Sequence, residues 1–122
     1  MSGQINSYED LVVWQKGVEL TEEVYRISSK LPKHELYGLV SQMRRAAVSM
    51  PSNIAEGRRR GSKADFRRFL LMAYGSGAEL ETQIVLIQRL YPDVTRECGK
   101  IVSLLDEIMR MLNTMIARLN SD

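Results

Sequence analysis

No pair of cysteines exists in this chain: Cys98 stands alone, so no intrachain disulfide can form. That fits a reducing compartment, and we expect a cytoplasmic protein. The single histidine, His34, has no second histidine or cysteine to complete a zinc site. No Glu-x-x-His pair is present, so a bundle-type di-iron site has no ligands. The phosphate-loop pattern is absent too, because "GRRRGS" is too short and lacks the lysine. Glu79 and Glu81 are two residues apart and point in different directions on a helix, so they are no carboxylate pair. Nothing nominates a catalytic residue, a metal or a cofactor, and a non-enzymatic protein is expected. Apolar runs are only a few residues long, which excludes a helical membrane span. The start "MSGQINSYEDLVVW" has no basic region followed by an apolar run, and glycine stands third. We therefore expect neither a secretory signal nor a myristoyl anchor.

What the chain has in quantity is helical pattern. With 122 residues, 44% hydrophobic and 26% charged, it is expected to form one domain around one core. Only three prolines interrupt it. Ser7 can cap a first helix over about 8–30, with Glu9 and Asp10 in its first turn. Leu11, Trp14, Val18, Thr21, Tyr25 and Ser28 form its stripe, and Pro32 stops it. A second helix is predicted over about 36–56, with Leu39, Met43, Ala46, Met50 and Ile54 inward and Gly57 as its stop. Pro51 falls inside it and predicts a kink or two abutting helices. Ser62 and Asp65 open a third helix over 63–91, whose stripe runs from Phe66 through Ala73, Leu80 and Ile87. A fourth over 94–119 repeats Val94, Cys98, Ile101, Leu105, Ile108 and Leu112 in strict 3-4 alternation. Short connections make neighbours antiparallel. The fold class is all-α, an antiparallel up-down-up-down four-helix bundle.

Within the third helix, "AYGSGAELE" places two glycines, each costing about 1 kcal/mol against alanine. Ala73, Gly75, Gly77 and Ala78 predict a close helix crossing, inside the bundle or between subunits. Two polar stripes flank the apolar faces: Ser49, Asn53 and Glu56, then Ser76, Glu79 and Gln83. Antiparallel packing can join them into a structural polar network, with a ligand site as the alternative. Glu56 near a helix C-terminus needs a compensating cation, and Arg59 or Arg60 is close in sequence.

Charge is uneven. Arg44, Arg45, Arg58, Arg59, Arg60, Lys63, Arg67 and Arg68 face only Glu56 and Asp65 in their window, so that stretch carries +6 within a chain of +2. Arg44 and Arg58 are two heptads apart on one face, and Arg67 and Arg68 start the return helix. One basic end is predicted, suited to nucleic-acid phosphates through counterion release. No aromatic interleaves with the arginines, so base stacking is not expected there. The alternative is a solvated turn, or a dock for an acidic partner protein.

"LVVW" with Trp14, "RRAAVSMPSNIAEG" and "GSGAELETQ" resemble the small bacterial four-helix-bundle family first described as proteins encoded in intervening sequences of 23S ribosomal RNA genes. The likeness runs from about Tyr8 to the last helix, which matches only in its apolar pattern. "GRRRGS" is richer in arginine than that family's pattern. Related accessory variability proteins of diversity-generating retroelements form pentamers, bind a reverse transcriptase and contact nucleic acid. The resemblance thus implies a homo-oligomer, a pentamer by analogy, with RNA or DNA and a protein such as a reverse transcriptase as partners. It implies no catalytic residue.

Overall fold

The computed structural model describes residues 7–120. Among them every regular element is helical. The α-helices are α1 (Val12–Ser28), α2 (Ser41–Arg60), α3 (Lys63–Leu90), α4 (Pro92–Thr95) and α5 (Gly99–Asn120). A 3-10 turn at Tyr8–Asp10 precedes α1, and a second one at Lys33–Glu35 leads through a π turn at Leu36–Val40 into α2.

Cross-helix contacts set how the long helices meet. Thr21 donates to the carbonyl of Ala47 at 3.1 Å, and Arg44 Nε donates to Ser28 Oγ at 2.9 Å, which joins α1 to α2. Ser49 meets Ser76, while Gly57 lies against Phe66 and Phe69, which joins α2 to α3. Gly77 packs on Met109 of α5. Lys16 pairs with Glu107 and Arg26 with Glu97, which closes α5 on α1. Leu20, Ile27, Met43, Ile54, Leu70, Leu80, Ile87, Ile101, Ile108 and Leu112 are fully buried in one continuous core. Each such side chain contributes about 1.5–3 kcal/mol by burial, so packing rather than helix propensity holds these helices.

Several boundaries differ from the sequence expectation. The first helix is split: Ser7 Oγ accepts from the amide of Glu9 and caps the 3-10 turn, and extended Leu11 separates that turn from α1. The buried face of α1 is Val13, Gly17, Leu20, Val24 and Ile27, one residue off the expected stripe, which leaves Tyr25 exposed. The aliphatic residues win the core, and Gly17 allows Pro51 to approach: a Cβ there would lie 3.3 Å from Pro51 Cβ. Pro51 is therefore buried in an α2 that continues without interruption. The break falls earlier, at Gly38 (φ −110°, ψ −108°). Gly57 does not stop α2, which continues to Arg60 and ends at Gly61 with φ +91°. Gly57 is small for another reason, since its Cβ would come within 2.6 Å of Phe69 Cβ. Ser62 does cap α3, accepting from the amide of Asp65 at 3.1 Å. The last helix is interrupted between Thr95 and Gly99, with Cys98 buried in the turn.

Candidate nucleic-acid interface

The α2–α3 turn gathers six of the eight predicted cations. Gly61 in left-handed geometry reverses the chain after Arg60, and the Ser62 cap restarts it, so Arg58, Arg59 and Arg60 face Lys63, Arg67 and Arg68 across one corner. Aromatic rings support three of these guanidinium groups. Arg59 lies 5.4 Å over Tyr8, Arg60 lies 5.1 Å over Phe69, and Arg68 lies 4.5 Å over the same ring. These rings reach the arginines through helix packing. Phe69 is buried, however, so its ring carries arginines and offers no face to a base. Arg67 is half-buried, and its Nε has no hydrogen-bond partner among the described residues.

Two carboxylates temper this corner. Glu56 accepts from Arg60 at 2.9 Å, the compensation its place near the end of α2 required, and this bond raises the guanidinium pKa further above its ordinary value. Asp65 lies 3.4 Å from Arg68. Both pairs are exposed and contribute little stability.

Arg44 and Arg45 do not join the corner. They leave α2 fourteen residues before Arg58 and Arg59, about 21 Å away along the helix axis. Helical periodicity puts them on the same side, but the rise separates them, so one basic end becomes two basic regions. Arg44 is held by Ser28 and lies 4.5 Å over the ring of Tyr25. Arg45 is exposed.

Three members of the polar stripes come together between α2 and α3. Ser49 and Ser76 share a 2.8 Å hydroxyl contact, and Asn53 donates to both the carbonyl and the hydroxyl of Ser49. Glu56 is drawn away by Arg60, and exposed Glu79 makes no hydrogen bond or ion pair with any described residue. Gln83 is only 7% exposed, and its Oε1 is buried without a partner among the described residues. Glu79, Gln83 and the two serines line an open groove of about 300 Å³ together with Arg45 and Gln42. The glycine motif divides: Ala73 and Gly77 face inward, where a Cβ on Gly77 would reach within 2.3 Å of Met109 Sδ, while Gly75 and Ala78 face outward. Among the described residues no three metal-ligating side chains cluster, and no helix is long and apolar enough to cross a membrane.

Sequence reasoning missed the tyrosines. Tyr8 and Tyr25 reach the arginines only through tertiary packing, and no local spacing signals it. A family model described as 23S rRNA-intervening sequence protein matches residues 9–114. No curated protein sequence matches the chain.

Proposed function

We propose that this chain, which belongs to the 23S rRNA-intervening sequence protein family, holds the backbone of RNA or DNA through its arginine corner. It acts without catalysis, as a cytoplasmic accessory protein beside a polymerase or ribonucleoprotein. Its four long helices form an antiparallel up-down-up-down bundle, with α4 as the lead-in to α5. The observation that carries the reading is the charge at the corner. Six cations oppose Glu56 and Asp65, a local +4. A helix C-terminus asks for about half a positive charge, so dipole compensation accounts for a fraction of it. Aromatic supports keep three of the guanidinium groups at the surface, where phosphate oxygens can reach them.

Self-association has its own support. Leu71, Met72, Val85 and Leu86 are all more than 40% exposed on α3, beside outward-facing Gly75 and Ala78. A homo-oligomer covers that strip, and five copies is the number the resemblance implies. The same strip favours the second reading, a protein-interaction scaffold with no nucleic-acid role.

The test is titration of the purified protein into labelled RNA and DNA across a salt series. Tight binding that weakens steeply with salt is expected. Reversing Arg58, Arg59 and Arg60 to glutamate should abolish it while circular dichroism shows the helices intact. Unchanged binding in that variant would overturn the arginine corner as the site, and no binding by the wild type even at low salt would move the function to protein partners.

A further inference from the structure

The far end of α2 carries a different arrangement from the arginine corner. Tyr37 is 92% exposed, the most exposed large hydrophobic side chain among the described residues. It is presented by a tied turn. Glu35 accepts from the amide of Leu39 at 3.3 Å and also from the hydroxyl of Tyr91, while the backbone bends at Gly38. One carboxylate thus anchors the π turn to its own chain and to the end of α3.

Beside Tyr37 lies an open groove of about 470 Å³. Tyr25, Leu36 and Val48 line it, with Arg44 and Arg45 among its walls, and no carboxylate does. Ser28 and the Tyr25 ring fix Arg44, whose terminal nitrogens make no hydrogen bond or ion pair with the described residues. Arg45 makes none either. At the corner, by contrast, Arg60 and Arg68 already face carboxylates. Two tyrosines and two arginines without acidic partners, around an apolar floor, complement a flat apolar group joined to an anion.

We propose that this groove is a stacking site for an unpaired nucleobase. Tyr37 supplies the ring face, and Arg44 and Arg45 hold the adjoining phosphates. The inference rests on the nucleic-acid reading above and gives it a polarity: single strands rather than duplex. Arg44 and Arg58 leave α2 on nearly the same side, about 21 Å apart. A strand at the stacked spacing of about 3.4 Å per nucleotide covers that distance in about six nucleotides, within the site sizes of single-strand binders.

The experiment compares three labelled probes of equal phosphate number: a single strand, an abasic single strand and a duplex. Tyr37→Ala should weaken single-strand binding about five- to hundredfold, the range of one lost base–aromatic stack. It should leave the abasic and duplex affinities and the salt slope unchanged, and Tyr37→Trp should restore binding. Exposure of Tyr37 makes a folding defect an unsuitable explanation, and circular dichroism checks that. Single-strand affinity unchanged in Tyr37→Ala overturns the stacking site, as does an equal loss on all three probes. Failure of the arginine corner looks different: reversal of Arg58, Arg59 and Arg60 would then leave single-strand binding intact while Tyr37→Ala still weakens it. A groove that takes an acidic peptide but no single strand is a protein dock and overturns the proposal.

Discussion

Ser49 on α2 and Ser76 on α3 meet hydroxyl to hydroxyl at 2.8 Å, and Asn53 locks the pair by donating to Ser49 Oγ at 2.9 Å. This contact joins the helix pair that also builds the arginine corner. Asn53→Ala should destabilise the protein by about 1–3 kcal/mol in urea unfolding, because it strips donors from a half-buried carbonyl and hydroxyl. Ser49→Ala with Ser76→Ala should cost less than the sum of the single changes. Strict additivity would show that the hydroxyl contact contributes nothing.

Two glycines predict opposite outcomes for the same substitution. Gly75→Ala should stabilise the folded protein by about 1 kcal/mol, since nothing lies within 4 Å of the new methyl group. Gly57→Ala should destabilise it, because its methyl would meet Phe69 Cβ, which moves only with the α3 backbone. Overpacking of about 1–3 kcal/mol then outweighs the propensity gain. Thermal unfolding midpoints moving in the same direction would contradict this account.

Acid should loosen the π turn. The Tyr91 hydroxyl, then the Leu39 amide, hold the Glu35 carboxyl below its ordinary value of 4.5. A depressed carboxylate contributes stability above its ordinary value and loses it as pH falls through the folded one. Glu35 in turn raises the Tyr91 phenol above its ordinary 10.0, so the phenol's contribution is complete below pH 10.0 and fades as pH rises through the folded value. Protection of the Leu39 amide, its exchange measured against the intrinsic rate at each pH, should therefore be greatest between these limits, and Tyr91→Phe should lessen the acid sensitivity. A flat profile in the wild type would remove the role assigned to Glu35.

Cys98 should be inert in the folded protein. Burial, aided by neighbouring Glu97, pushes its thiol up from 9.0. Alkylation with iodoacetamide near pH 8 should be slow until denaturant is added. Rapid labelling without denaturant would mean that the turn between α4 and α5 opens readily.

The sequence by itself determined the helices and most of their buried faces. Met43, Met50, Ile54, Leu80, Ile101 and Ile108 recur at helical spacing, and a stripe that apolar cannot stay in water. Ser62 was legible as a cap because its hydroxyl acts within one turn of chain. It also determined the concentration of arginine. What the tertiary structure decided concerns residues far apart in sequence. Pro51 is accommodated because Gly17 of another helix makes room for it, and Gly57 is a packing residue because Phe69 returns against it. The rise of α2 divided one expected basic cluster into two. Packing then set Tyr8 against Arg59 and Tyr25 against Arg44. Periodicity reports which side of a helix a residue occupies. Its height along the axis, and the neighbour it meets there, exist only once the helices have packed.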